Sequence, residues 1–496
     1  MTTTADRPAD ARRVAEELLT WVPTGLLVGG EWRDSSDGSR FEVLDPASEE
    51  VIATVANATP TDASAAADAA ASAMPAWAAT APRARAEVLR RGFELMVGRA
   101  EELARLIVLE NGKALRDARA EVAYAAEFFR WYAEEAVRNV GELMTAPSGA
   151  NRILVTRQPI GVAALITPWN FPAAMLTRKI GPALAAGCAV VCKPASETPL
   201  TALAIARLLE EAGVPPGVVN VLASRRSGQI AATLLGDERV RKLSFTGSTE
   251  VGRELLALAA RRVVSCSMEL GGNAPFIVFD DADLDAAIAG AMVAKMRNGG
   301  QACTAANRFY VHEGVAGEFS RRLAEAMGAL KVGPGLDESV DVGPLVNGPS
   351  RDKVDELVSG ALEGGARTLV GGSRPAGRGF FYPPTVLEGV APGAALLGTE
   401  IFGPVAPVVT FASEAEAIEL ANATGYGLVS YLYTSDLARG LRVAEALESG
   451  MVGLNRGLVS DPAAPFGGVK ESGIGREGGH EGMLEYLEPK YIACSW

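Results

Sequence analysis

Between Gly161 and Ala260 short apolar runs and helical stretches alternate four times, and no other feature of this chain limits its fold so sharply. Residues 162–167, 189–192, 218–222 and 242–245 read as strands. Residues 172–186, 200–212, 227–235 and 251–260 carry the spacing of helices. A strand that returns after each helix is placed parallel to its predecessor, so this stretch predicts a parallel sheet with right-handed crossovers. A second series follows Glu269, with strands at 274–279, 308–312 and 405–411 and helices at 282–297 and 315–330. Before both series, residues 65–144 are rich in Ala, Arg, Glu and Leu at helical spacing. After them the chain turns Gly-rich over 465–479 and then extended over 486–496. At 496 residues it exceeds the usual size of one core, so two or more domains are expected. No repeat of solenoid period is visible.

Composition narrows the function. Apolar residues are 48% of the chain, enough for buried cores and against disorder. The net charge of −13 argues against a nucleic-acid partner, which needs a basic footprint. The longest apolar runs fall short of the ~20 residues that span a bilayer, so no membrane partner is expected. Residues 1–19 mix Arg with Asp and Glu and lack the apolar stretch of a signal peptide. Five cysteines show no metal spacing and no secreted framework, so no metal site is expected and a reducing, cytoplasmic setting is. Cys188 and Cys192 flank an apolar run and read as small buried hydrophobes.

The chemistry gathers at strand ends and glycine turns. Cys303 follows Asn298-Gly299-Gly300-Gln301-Ala302, a turn whose glycines let a sulfur meet a substrate without cover. Glu269 opens Glu269-Leu270-Gly271-Gly272-Asn273, and a carboxylate near a thiol can activate a water. The chain has only two histidines, His312 and His480, so a Cys–His pair is short of candidates. Thiol plus carboxylate points to an acyl group released by hydrolysis. Lys193 and Ser196 follow a buried strand, where ligands dock in open α/β sheets; they either hydrogen-bond a ribose or its phosphate, or face solvent. Asn170, after the strand at 162–167, either donates its amide to an oxyanion or serves as a turn residue before Pro172. The stretch from Lys242 to Gly252 is a strand, a Gly247 turn and a helix start capped by Ser248 or Thr249, whose free N–H groups suit a pyrophosphate. Gly473-Ile474-Gly475-Arg476-Glu477-Gly478 spells a dinucleotide fingerprint, but no strand leads into it and it reads as a loop.

Taken together, seven stretches resemble the aldehyde dehydrogenase superfamily, in order and over nearly the whole chain. They are Pro168-Trp169-Asn170-Phe171-Pro172, Lys193-Pro194, Phe245-Thr246-Gly247-Ser248, Glu269-Leu270-Gly271-Gly272, Gly300-Gln301-Ala302-Cys303, Glu400-Ile401-Phe402-Gly403-Pro404 and Pro465-Phe466-Gly467-Gly468. The resemblance implies an α/β fold with a Rossmann-like cofactor domain (1–140 and 160–269), an α/β catalytic domain (270–450) and a small β-flap for oligomerisation (141–159 and 481–496). Residues 451–480 would be a return segment lining the substrate tunnel. It implies that Cys303 attacks an aldehyde carbonyl while Asn170 and the Cys303 N–H hold the oxyanion. The thiohemiacetal would give up a hydride to nicotinamide, and Glu269 would activate water to hydrolyse the thioester. Glu400 would hold the nicotinamide ribose, Phe402 would pack near the ring, and Lys193 would contact the adenine ribose. Thr167, Trp169, Gly247, Ser248, Val251 and Leu270 would complete the cofactor site.

Cofactor choice turns on Ser196. Members that prefer NAD often carry Glu there, which repels a 2′-phosphate, so Ser196 favours NADP over NAD; a small register shift would bring the neighbouring Glu197 to the same ribose and oppose that preference. Arg225 and Arg226 depart from the family's Gly-containing turn. One of them, with Arg226 as the choice, would support the 2′-phosphate, or the two form a solvated surface pair. Within the superfamily the chain is similar to succinate-semialdehyde dehydrogenases, whose substrate ends in a carboxylate. Arg178, Arg297 and Ser460 match the positions that would bind it. An aromatic or simple aliphatic aldehyde would leave both arginines unpaired, and glutarate semialdehyde differs by one methylene, worth only ~10–200-fold. Ala305 stands where some members carry a second cysteine, so no disulfide switch is expected. A homodimer or homotetramer is the family's assembly.

Overall fold

The computed structural model describes residues 7–495; the first six residues of the 1–140 segment lie outside them. Its largest sheet has eight strands, in the order Gly473–Ile474, Ser265–Glu269, Val240–Thr246, Val162–Ile166, Val190–Lys193, Val219–Val221, Leu26–Val28, Glu31–Arg33. The five from Ser265–Glu269 to Val219–Val221 pair in parallel, and the strands added at either edge pair antiparallel. The parallel part of this sheet starts in the middle at Val162–Ile166, steps outward twice, then crosses back to lay Val240–Thr246 on the other side. That reversal leaves a crevice at the carboxyl ends of Val162–Ile166 and Val240–Thr246, the place where ligands enter open α/β sheets.

Local sequence explains the elements beside the crevice. Val162–Ile166 is buried at every residue, which suits a central strand covered on both faces. The helix Pro172–Ala186 opens on a proline, whose missing N–H costs nothing at that position, and stops at Gly187 with φ 99°, left-handed backbone that glycine tolerates. The buried Glu121 carboxylate accepts from Ala173 N at 2.9 Å, and Glu110 does the same for Leu200 N and Thr201 N at the next helix, 2.7 and 2.8 Å. These carboxylates fill the role of caps at helices that lack a side-chain cap of their own. Cys188 and Cys192 are buried in the apolar core beside this sheet.

The second sheet has seven strands, in the order Arg367–Val370, Thr385–Glu388, Val405–Phe411, Ala306–His312, Ala274–Val278, Val429–Tyr433, Met451–Leu454. All pairs are parallel except the first. A third sheet, Leu487–Cys494, Arg152–Pro159 and Glu142–Thr145, is antiparallel. It corrects the helical reading of residues 65–144. The helices there are Pro60–Ala79, Pro82–Gly98, Ala100–Asn111 and Leu115–Glu135, and the last ends nine residues short because Gly141 runs against the neighbouring strand, where a Cβ would stand 2.3 Å from Val155 O. No helix among the described residues is long and apolar enough to cross a membrane.

Candidate active site

A cavity of about 250 Å³ opens at the crevice, walled by Trp169 and Asn170 from one strand end, Thr246, Gly247 and Ser248 from the other, and Cys303, Glu400 and Phe402 from the second sheet's side. Five of the seven sequence stretches thus converge from distant parts of the chain, while Lys193-Pro194 and Pro465–Gly468 lie outside this lining. Close backbone approach makes this possible. A Cβ on Gly272 would stand 2.2 Å from Cys303 O, so the Glu269-Leu-Gly-Gly turn can lie against the nucleophile's backbone only as glycine.

The segment before Cys303 holds three successive left-handed residues, Asn298 (φ 53°), Gly299 (φ 59°) and Gly300 (φ 78°). Two glycines adopt this without strain, while Asn298 is fixed by bonds: its N–H donates to Asp117 Oδ2 (2.8 Å) and its Nδ2 to Asn170 O (2.9 Å) and Gln301 O (3.1 Å). Asn170 Nδ2 donates to Gln301 O at 3.2 Å, and Lys113 Nζ, paired with Glu121 at 2.5 Å, donates to Asn170 O. An amide NH2 carries two donors, so one remains to face a substrate oxygen in the shared cavity. Burial pushes the Cys303 thiol up to about 12, with Glu400 adding to the rise and Arg178 opposing it. The reactive thiolate is therefore scarce at neutral pH in the free protein. Alkylation of Cys303 by iodoacetamide, read on its peptide by mass spectrometry, should accelerate continuously from about pH 7 to about pH 10. A plateau below about pH 8 would contradict the burial argument.

Glu269, at the end of Ser265–Glu269, is buried, and neither carboxyl oxygen has a hydrogen-bond partner among the described residues. Burial, then repulsion from Glu477, raises its pKa well above the ordinary value, against the pull of Arg178 and Lys179. A carboxyl with a raised pKa and free oxygens suits a general base that takes its proton from water. Glu477 was not singled out from the sequence. It sits inside the Gly-rich 473–478 loop, in which Gly473–Ile474 adds a short strand to the edge beside Glu269. Two cations on the interior helix meet Glu477: Lys179 Nζ at 2.5 Å and Arg178 Nε at 3.2 Å. Two adjacent buried cations require such a partner, and that requirement was the available signal.

Arg178, expected with Arg297 and Ser460 at the substrate carboxylate, has a carboxylate partner in the protein. Its guanidinium already has Glu477, donates to Tyr124 Oη at 3.2 Å and lies over the Phe466 ring at 4.2 Å. Arg297 differs. Among the described residues no carboxylate lies within ion-pair distance of it. Its guanidinium lies over Phe171 at 4.7 Å and Tyr124 at 5.6 Å, and its Nη1 donates to Ser460 Oγ at 3.4 Å. The expected Arg297–Ser460 neighbourhood is thus present, next to the turn that carries Cys303.

Eight of the twelve residues expected at the cofactor divide between two cavities, and Thr167, Lys193, Arg226 and Val251 line neither. In the first, the Glu400 carboxylate accepts from Gly272 N at 3.0 Å and burial pushes its pKa up to about 7. Phe402 is held with φ 58° and meets Trp169 edge to face at 5.4 Å. Thr246 Oγ1 is buried there without a partner, and Ser248 caps the helix Thr249–Ala260 by accepting from Val251 N. Leu270 lines this cavity, whereas Val251 lines neither cavity and is 44% exposed. Thr167 joins the strands, its N–H donating to Lys193 O at 3.2 Å. Lys193 is buried, and burial brings its pKa down to about 8. The second cavity, about 270 Å³, is lined by Ser196, Glu197 and Arg225. Arg226 is not part of it: its guanidinium is engaged by Asp37 Oδ2 at 2.8 Å and Ser39 Oγ at 3.2 Å. The structure thus sets Arg226 outside the cavity, paired with an acidic residue on the 34–39 turn. An unpaired buried hydroxyl at a switch-point crevice, a capped helix N-terminus and a strand-end lysine fit a dinucleotide.

A thiol, a buried unpartnered carboxyl and a strand-end crevice define a dinucleotide-dependent oxidoreductase. Comparison with known proteins agrees. The model of the "Aldehyde dehydrogenase family" matches residues 32–492. A succinate-semialdehyde dehydrogenase of Paenarthrobacter nicotinovorans is 58% identical over 90% of this chain and 99% of its own. A glutarate-semialdehyde dehydrogenase of Pseudomonas putida is 50% identical over 94% of this chain and 97% of its own. The crystal structure of an E. coli NADP dependent enzyme superimposes with a TM-score of 0.95 at 48% identity, covering 96% of this chain and 99% of the other. This chain belongs to the aldehyde dehydrogenase family, and it is an enzyme that uses NAD or NADP.

Proposed function

We propose that this enzyme oxidises a short aldehyde ending in a carboxylate, succinate semialdehyde first and glutarate semialdehyde next, with NADP preferred over NAD. The observation that carries the substrate is Arg297, an aromatic-flanked guanidinium with Ser460 beside it and no carboxylate of its own. A remote carboxylate supplies the missing partner through charge-assisted hydrogen bonds. The names of the two relatives support the same substrate class.

In the reaction, Cys303 Sγ as thiolate bonds to the aldehyde carbon. The carbonyl oxygen gains negative charge and is met by the free Asn170 N–H and the Cys303 backbone N–H. NAD or NADP, when bound, would accept the hydride that leaves this carbon as its C–H bond breaks, and the carbon remains on Cys303 Sγ as a thioester. Glu400 and the Trp169–Phe402 pair would hold the nicotinamide end, and Lys193 and Ser196 the adenine ribose. Glu269 then takes a proton from water as its oxygen attacks the thioester carbon. The C–S bond breaks, the carboxylate leaves and Cys303 returns as thiolate.

The same reading divides the chain into a cofactor domain (1–140 and 160–269), a catalytic domain (270–450), a return segment (451–480) and a flap (141–159 and 481–496). Support comes from the three sheets, whose strands fall largely within those segments. Leu143, Met144, Tyr491 and Ile492 are exposed on the flap sheet, and apolar residues gathered there favour association into a homodimer or homotetramer. Free cysteines favour the cytoplasm.

The test is cofactor reduction with succinate semialdehyde beside butanal, for the native enzyme and Arg297→Met. The native enzyme should prefer the carboxylated aldehyde by at least about 100-fold in kcat/KM, and Arg297→Met should remove most of that preference by raising KM. Equal use of both aldehydes by the native enzyme would overturn the substrate assignment.

A further inference from the structure

We infer that Arg225, not its neighbour Arg226, is the residue that selects NADP, by meeting the cofactor's 2′-phosphate in the cavity it shares with Ser196. The inference rests on the proposed placement of the adenine ribose at Lys193 and Ser196.

Three observations single it out. First, the cavity is lined on its polar side by Glu42, Glu110, Ser196, Glu197, Arg225 and Asn347, and Arg225 is the one cation among the described lining residues. A doubly charged phosphate among carboxylates needs a cation at hand. The Glu110 carboxylate is already taken up by the N–H groups of Leu200 and Thr201, and Glu197 Oε2 accepts from Ser196 Oγ at 3.1 Å. Second, Arg225 is aimed without being neutralised. Its N–H donates to Asn57 Oδ1 (3.0 Å), its Nη2 donates to Glu42 O (3.0 Å), and its guanidinium lies 5.3 Å from the centre of the Phe41 ring. Those are a backbone carbonyl and an aromatic face, and no carboxylate lies within ion-pair distance of it among the described residues. Third, Arg226 has the opposite environment. Asp37 and Ser39 hold it, and Asp37 is drawn well below the usual carboxylate range by Ser39 first and by Arg226 as well. A guanidinium so engaged must break that contact to reach a phosphate.

A guanidinium positioned by neutral groups keeps its charge and several donors for an anion. NAD has no 2′-phosphate and draws nothing from it. Arg225 is thus a specificity residue, distinct from those that hold both cofactors alike.

Isothermal titration of NADP and NAD into the free enzyme, without aldehyde, tests this. Arg225→Ala should weaken NADP about tenfold and leave NAD within about twofold, whereas Arg226→Ala should leave both within about twofold. The NADP affinity of the native enzyme should also fall more steeply with salt than that of Arg225→Ala. Arg225→Ala leaving NADP affinity intact, or weakening both cofactors equally, overturns the inference. Lys193→Ala separates this from an error in the cleft. Weakened binding of both cofactors in that variant keeps the adenine ribose where it is proposed, so that an unaltered Arg225→Ala then counts against the arginine alone. If Lys193→Ala binds both cofactors normally, the placement fails, and the inference with it.

Discussion

Glu269→Gln should make the enzyme stop after one turnover. Mixed with aldehyde and cofactor, the variant is expected to release a burst of reduced cofactor equal to its active sites, then continue ~10²- to 10⁴-fold more slowly than the native enzyme. The expectation follows from where Glu269 stands. Attack by Cys303 and loss of two electrons need no base at the water, whereas hydrolysis does. Glutamine keeps the shape and removes the proton acceptor. The same change should not destabilise the protein. Burial and Glu477 hold the Glu269 pKa above its ordinary value, so above the ordinary carboxylate range the folded state must either keep a proton the unfolded chain would release or carry a buried charge. Both cost stability as pH rises toward neutrality, and a neutral amide removes that cost. Thermal unfolding at pH 7 should show a midpoint at or above the native one. A steady rate near native with no burst would remove Glu269 from its role.

Cys303→Ser should abolish both the burst and the steady rate, lowering kcat/KM by at least about 10³-fold, or about 4 kcal/mol in the barrier. The sulfur is already hard to ionise in this buried setting, with a pKa near 12. A serine hydroxyl is far weaker as an acid, and no histidine stands ready to take its proton: His312 caps the helix Glu313–Gly328, and His480 Nδ1 lies 2.8 Å from Glu135. Cofactor affinity, measured by titration, should be retained, because Cys303 lines the cavity without bonding its other walls. Turnover within tenfold of native would show that another group is the nucleophile.

Four of the five parallel strands of the first sheet were legible in the sequence because central parallel strands are short, continuous apolar runs between glycine or proline turns. The strand Ser265–Glu269 was missed because its alternating Ser and Cys carry little apolar signal, and so was Met451–Leu454. The strand Glu142–Thr145 was hidden behind a helical composition that continues past the point where the backbone turns. At the site, motifs singled out Cys303, Glu269, Asn170 and Glu400; the Cys303 and Glu269 stretches carry Gly300 and Gly272, which lie close against another backbone, and Asn170 stands between Pro168 and Pro172 at a strand end. The partners of charges were not legible. Neither the pairing of Arg178 and Lys179 with Glu477, some 300 residues on, nor the capture of Arg226 by Asp37 has a local signature. Long-range ion pairs are set by the topology, and among the described residues they leave Arg297 and Arg225 without a carboxylate partner while Arg178 and Arg226 have one.

The most direct measurement is the mass of Glu269→Gln after mixing with succinate semialdehyde and NADP, followed by digestion to locate the change. The account predicts one succinyl group per chain, on the peptide that carries Cys303. An unmodified protein after the burst, or an acyl group on any other residue, would contradict it.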